Sequence, residues 1–172
     1  MDSQGAAVTL RAEAPGICGL AAAQTINGVN ATLGASSQAP NAILISQLTD
    51  PSSGQLLSAS ISLKFKAVCN YAHYFSMQTA NGGLQPQTRS VPVAGGFLDH
   101  VNYTARLGWG AAANELKTSG AAGQKIPALF IGGAYAGDLT LDFAVDGTTG
   151  NNLPLLAGTY SDTLIITLGP QF

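Results

Sequence analysis

Charge is scarce in this sequence: Lys, Arg, Asp and Glu make up 9% of its 172 residues, against about 25% in typical soluble domains. Apolar residues make up 46%, so the polar surface must consist mainly of Ser, Thr, Asn, Gln and Gly. That composition is more common in extracellular β-proteins than in cytosolic enzymes. The formal net charge is −2, and Lys and Arg do not cluster. A basic nucleic-acid-binding face is therefore excluded.

Long hydrophobic runs are also absent. No run approaches the ~20 continuous apolar residues that a membrane span requires, and no basic segment followed by an apolar one marks a signal peptide. The first four residues are interpreted as a mature start with an added initiator methionine. The protein is predicted to be soluble as written, and secretion has to be argued from other features.

Cysteine is limited to two residues, Cys18 and Cys69, and there is no CxxC motif. Two cysteines cannot form a four-cysteine metal site. We favour a single disulfide formed in an oxidising compartment, which would close a loop of about 50 residues and contribute roughly 4 kcal/mol on the chain-entropy model. The alternative is a pair of buried free thiols, because free cysteine is commonly buried.

Candidates for catalysis are few. His73 and His100 are the only histidines, and no GxSxG nucleophile elbow is present. Asp99 precedes His100 in a predicted strand, where neighbouring side chains point to opposite faces. The sequence therefore predicts that the protein is not an enzyme and that both histidines are structural or surface residues.

Metal and cofactor sites are likewise not expected. Three aspartates share the polar face of one strand pattern, whereas a calcium site needs oxygen ligands that converge within a tight loop. The glycine doublets lack the lysine and the helix start of a phosphate-binding loop. We predict no metal and no cofactor; the aspartates are Asp138, Asp142 and Asp146.

Strand patterns dominate the chain. The clearest alternation runs over residues 57–69, with apolar residues and Cys69 on one face and Ser and Lys on the other. Residues 42–48, 71–79, 97–109, 126–131 and 139–145 also have strand character. By contrast, residues 19–41 are predicted to be a long connection with at most a weak strand, and residues 111–117 have local helix propensity. About eight strands separated by Gly, Pro, Asn and Ser turns predict one all-β domain, a β-sandwich, with a closed barrel as the structural rival.

The last strand and the first apolar stretch form a natural pair. Near the end of the sequence, Leu164, Ile166 and Leu168 alternate with Thr163, Ile165 and Thr167, as in a strand with one dry face. Such a strand leaves unpaired backbone groups if it lies at a sheet edge. The N-terminal stretch before Pro15 and Gly16 can supply the missing neighbour, either within the chain or between copies. Its apolar face consists of Ala6, Val8, Leu10, Ala12 and Ala14, opposite Thr9, Arg11 and Glu13.

Four stretches carry a resemblance to a known family. They are the alternating N-terminal stretch leading into Cys18, residues 68–71 running into 81–84, residues 101–107 with Trp109 and Gly110, and residues 157–164, Ala-Gly-Thr-Tyr-Ser-Asp-Thr-Leu. The last is the most specific. Together these stretches resemble the spore coat protein U type domain, which includes the subunits of archaic chaperone-usher pili of Gram-negative bacteria.

The resemblance implies an immunoglobulin-like β-sandwich (residues 18–172) that lacks one strand and is completed by donor-strand complementation. Residues 1–17 would form the donor strand or extension, inserting Ala6, Val8, Leu10, Ala12 and Ala14 into a neighbour's groove. Leu164, Ile166 and Leu168 would line the acceptor groove. The implied partners are copies of the chain or related pilus subunits, a periplasmic chaperone and an outer-membrane usher. The implied function is that of a surface-fibre subunit that serves adhesion or biofilm formation, exported through the periplasm to the cell surface.

Several alternatives remain open from the sequence. One is a spore-coat-type surface protein, and another is an adhesin or ligand-binding module completed by its own N-terminal strand. An extracellular hydrolase lacks a convincing set of residues. The donor face is rich in alanine, which offers less apolar burial than Val or Ile. Residues 85–100 and 111–137 are interpreted as insertions, forming either surface loops or a contact specific to a minor subunit.

Overall fold

The computed structural model describes residues 9–34, 41–88 and 95–170. Within them the regular secondary structure is β-strand, apart from one short 3₁₀ helix at Gly147–Gly150. The strands are β1 (Cys18–Val29), β2 (Ala31–Leu33), β3 (Ile43–Ile45), β4 (Ala59–Cys69), β5 (His73–Thr79), β6 (Gln85–Pro86), β7 (Thr104–Trp109), β8 (Ala112–Lys117), β9 (Leu129–Ile131), β10 (Tyr135–Val145), β11 (Tyr160–Ser161) and β12 (Leu164–Gly169).

Two main sheets contain most of these strands. The larger has five strands in the order β1-β4-β10-β7-β8, and the smaller has three in the order β12-β5-β9. Two short ribbons, β2-β3 and β11-β6, complete the topology. All pairings between these strands are antiparallel, so the fold is all-β, as the sequence predicts.

A single core is shared by the inner faces of the two sheets. β4 and β10 bury every second residue, because one face of each strand packs inward while the other meets solvent. Phe75 and Met77 of the smaller sheet are fully buried in the same cluster as Leu107, Trp109 and Leu139 of the larger one. This arrangement is consistent with a β-sandwich and confirms the predicted alternation of residues 59–69.

The two cysteines form a disulfide, as predicted. Cys18 and Cys69 lie directly opposite each other in the pairing of β1 with β4, so the bond ties the start of the first strand to the end of a central one. Structural disulfides are typical of oxidising, extracytoplasmic compartments.

The described part of the chain contains no helix with the length and apolar character of a membrane span.

β1 corrects the prediction of a long connection over residues 19–41. The strand is twelve residues long and pairs along β4, but Ala23 is its only buried residue. Its sequence is mostly Ala, Gly, Gln, Thr and Asn, so it lacks the apolar alternation that reveals a strand. Backbone pairing, and not side-chain burial, holds this edge of the sheet.

β8 corrects the helix propensity expected over residues 111–117. It pairs with β7 through a tight turn in which Gly110 has φ of 61°, a left-handed conformation that glycine adopts without strain. Leu116 is its buried anchor. Residues 111–137 are therefore not an inserted loop: they supply β8 and β9, one strand at an edge of each sheet.

The two histidines have different roles. His73 is fully buried, and its Nε2 accepts a hydrogen bond from Trp109 Nε1 at 2.7 Å, so its Nδ1 carries the proton donated to the Tyr71 carbonyl at 2.8 Å. Its role is thus structural.

The prediction that Asp99 and His100 point apart is wrong: they lie outside regular strands, and Oδ1 of Asp99 is 3.0 Å from Nδ1 of His100. Alternation does not apply where the backbone is not extended within a sheet.

Candidate functional site

An apolar groove lies between β12 and residues 41–48, the segment that contains β3, and Leu20 is the residue of β1 that lines it. Its volume is about 960 Å³, and a smaller cavity of about 220 Å³ shares Leu20 and Ile166 with it. The floor consists of core residues of β4 and β10, namely Leu63, Phe65, Leu141 and Phe143.

The predicted groove residues lie along this cavity. Leu164 and Ile166 line the larger part and Leu168 the smaller one. All three are only half-buried, whereas Ile165 between them points outward and is 50% exposed. Three inward-facing aliphatic side chains are thus left partly uncovered beside the core.

Two edge strands lie beside the groove. β12 pairs with β5 on one side, and β1 pairs with β4. Each is the terminal strand of its sheet within the described residues. Within the described residues the second edge of β12 pairs with no other strand, an arrangement that folded proteins usually cover or disrupt. On β1, by contrast, the N–H of Ala23 donates to Oδ1 of Asn41 at 3.0 Å.

One end of the groove is closed by Asp162, a residue of the lead into β12. Its carboxylate fixes the start of β12 to the turn after β5 and to the core residue Tyr103. The stretch that contains Asp162 was noted in the sequence, but the role of its carboxylate was not predicted, because most of its hydrogen-bonding partners lie far away in sequence. The carboxylate accepts hydrogen bonds from the backbone N–H groups of Asn81 (2.9 Å), Gly83 (3.1 Å) and Thr163 (2.7 Å) and from the hydroxyls of Tyr103 (2.8 Å) and Thr79.

Tyr103 makes this end of the groove sensitive to alkali. Burial raises the pKa of its hydroxyl well above the usual range, and the adjacent Asp162 carboxylate raises that pKa further, against an opposing contribution from Thr79. The unfolded chain loses this proton near pH ~10, while the folded chain retains it. The unfolded state then binds fewer protons, so the free energy of unfolding must fall as pH rises above about 10.

We expect Tyr103→Phe to remove this contribution. Denaturant unfolding followed from pH 8 to 11.5 should show a steeper loss of stability for the wild type than for the variant. Parallel curves for the two proteins would contradict the assignment. All other ionisable side chains are the same in the two proteins, so the difference isolates Tyr103.

The described part of the predicted donor segment is not in the groove of this chain. Ala6 and Val8 lie outside the described residues. Leu10, Ala12 and Ala14 are exposed, Leu10 by 90%, and residues 9–14 are not part of any strand. The predicted N-terminal strand is therefore not formed here over its described residues, and the apolar face of this segment is left in solvent.

No protein-family model matches the chain, and a search of curated proteins finds no match either. Among the described residues, no three His, Cys, Asp or Glu side chains are grouped so as to hold a metal ion. The groove, with the unpaired edge of β12 beside it, is thus the feature on which a functional argument depends.

Proposed function

We propose that this chain is a structural subunit of a bacterial surface fibre of the archaic chaperone-usher type, polymerised by donor-strand exchange and serving adhesion or biofilm formation. The observation that supports it best is the apolar groove beside β12, whose second edge pairs with no other strand within the described residues. An extended strand placed there would form main-chain hydrogen bonds with β12, and its alternate side chains would cover Leu164, Ile166 and Leu168. In this proposal the sandwich is immunoglobulin-like and incomplete until that strand is supplied.

The N-terminal stretch has the properties of such a strand. The six residues of β12 span about 20 Å at ~3.3 Å per residue, and residues 6–14 are long enough to match them. Burying the exposed Leu10 side chain would contribute about 1.5–3 kcal/mol, and each alanine less. Because the groove and the donor are different surfaces of one chain, the contact is head to tail and generates a filament.

Two further proteins would take part in assembly. Before assembly, a periplasmic chaperone would cover the same groove, and an outer-membrane usher would exchange it for the next subunit. The disulfide fits passage through an oxidising periplasm. The function is structural, without catalysis or cofactor. A spore-coat-type surface protein built from the same contact is the second candidate, favoured by the same sequence stretches.

Polymer formation tests this proposal. The full chain, kept unboiled in detergent, is expected to give a ladder of multimers on a denaturing gel and a matching spread in size-exclusion chromatography. A chain lacking residues 1–14 should give no ladder. A full chain that stays monomeric, with no change in stability when residues 1–14 are removed, would contradict the proposal.

The groove side is tested by a matched pair of isoleucines on β12. Ile166 faces the groove and Ile165 faces solvent. We expect Ile166→Asn to weaken multimer formation roughly 5- to 150-fold, because an amide buried under the donor strand without a partner costs about 1–3 kcal/mol. Ile165→Asn should assemble normally. Equal assembly by the two variants, measured as multimer fraction against concentration, would place the contact elsewhere.

A further inference from the structure

Asn70 holds the residues that precede β1. Its Nδ2 donates to the Pro15 carbonyl at 2.9 Å, and its Oδ1 accepts from the backbone N–H of Ile17 at 2.8 Å. Its own backbone N–H donates to the Ile17 carbonyl at 3.1 Å. The neighbouring residue, Cys69, is covalently bound to Cys18. Residues 15–17 are thus fixed as a continuation of β1 beside the end of β4.

Two further features keep this segment extended. A Cβ atom on Gly16 would lie 3.2 Å from the Tyr71 ring, so the backbone passes tightly against that side chain. Ala14 precedes a proline, which restricts it to extended conformations. Residues 9–14 accordingly leave the domain fully exposed.

A chain that fills its own groove has to reverse direction just before β1. A two-residue turn at Pro15 and Gly16 would bring Leu10 opposite Ala21, inside the groove, but those residues are held by Asn70. Moving the turn back to Glu13 and Ala14 would bring Leu10 opposite Ile17. That position lies beyond the groove, whose lining on β1 starts at Cys18. The hydrogen bonds of Asn70 therefore oppose every hairpin that would place Leu10 beside the groove, since each of them turns at Pro15 or Gly16.

The directions of β1 and β12 also disfavour insertion of the segment into the groove of its own chain. Cys18 and Leu168 line the same small cavity, so the start of β1 lies beside the end of β12. A hairpin antiparallel to β1 would then be parallel to β12. A segment from another copy can enter antiparallel to β12, which is the slightly more stable pairing.

We propose that Asn70 is a latch that keeps the N-terminal segment out of its own groove and reserves it for the groove of a second copy of this chain. The inference rests on the proposed function and adds the choice between insertion within the chain and between chains. Asn70 contacts residues 15–17, at the end of the segment that joins β1, and does not line the groove.

The test refolds the disulfide-bonded full chain at nanomolar concentration, where copies rarely meet, with about 10 µM of a fluorescent peptide of residues 5–14. A tethered segment has an effective concentration on the order of millimolar, so self-insertion would exclude the peptide. We compare the wild type with Asn70→Ala, which removes the side-chain latch, and with Pro15→Asn, which creates the Asn-Gly turn favoured in hairpins. Asn114→Ala, on β8, is the matched control.

The wild type and Asn114→Ala are expected to capture the peptide, and Asn70→Ala and Pro15→Asn to capture it at least tenfold less while remaining folded monomers at micromolar concentration. If Asn70→Ala does not refold, Asn70→Asp decides, because its carboxylate still accepts from the Ile17 N–H but cannot donate to the Pro15 carbonyl. Capture by both variants equal to the control overturns the latch and leaves the fibre proposal standing. The latch is also overturned if the wild type excludes the peptide while the chain lacking residues 1–14 captures it. Capture by neither chain overturns the proposed function itself.

Discussion

Leu10→Asp is expected to abolish the detergent-resistant ladder, whereas Thr9→Asp leaves it intact. Leu10 is 90% exposed in the single chain, so the substitution removes no folded contact. In the fibre the same side chain would lie against the apolar groove floor. An unpaired carboxylate there costs several kcal/mol, and each 1.4 kcal/mol weakens association about tenfold.

Thr9 is the matched control because it precedes Leu10 and lies on the opposite face of an extended segment. The same new charge would then point to solvent. Multimer fractions should be measured against protein concentration for both variants. A ladder lost equally from both would indicate a general charge effect, and a ladder kept by both would remove Leu10 from the contact.

Asp162→Ala is expected to lower the free energy of unfolding by about 3 kcal/mol or more, because several buried donors lose their acceptor at once. The largest losses should come from the Tyr103 hydroxyl and the N–H of Gly83, which point at the carboxylate from the interior side of the turn. Asp162→Asn should be milder, since one oxygen still accepts.

The control for this effect is Asp142→Ala. Asp142 also accepts a hydrogen bond, from Ser62 at 2.6 Å, but on the exposed face of the large sheet. Exposed substitutions of this kind usually change stability by no more than about 0.5 kcal/mol. Denaturant midpoints for the two variants give the comparison. A loss for Asp162→Ala no larger than that for Asp142→Ala would show that the carboxylate does not hold the start of β12.

The parts of the fold that the sequence predicted are those where one strand face is buried. β4 and β10 alternate because solvent and core impose opposite demands on successive residues. The same rule identified the inward set of β12, which the structure places along the groove. β1 was not predicted, because an edge strand of small residues is held by backbone pairing and shows no apolar alternation. β8 was not predicted, because its pairing with β7 outweighs the local helix propensity.

Contacts between residues that are far apart in sequence could not be predicted from the alternation of apolar and polar residues. Asp162 and Asn70 each act through backbone groups tens of residues away, and neither belongs to a motif with a known hydrogen-bonding role. Asp99 and His100 were misjudged because strand geometry was assumed where the chain is irregular. What the sequence did supply was a hypothesis, that the alternating first segment pairs with the apolar last strand.

The position of the disulfide has a mechanical consequence. In a fibre of the proposed kind, the donor segment of one subunit is anchored in the next, so pulling on the filament applies tension at residues 15–17. Cys18 passes that load covalently to Cys69, at the end of a strand paired on both sides along its length. The force therefore spreads in shear across the large sheet and does not peel β1 from its edge one hydrogen bond at a time.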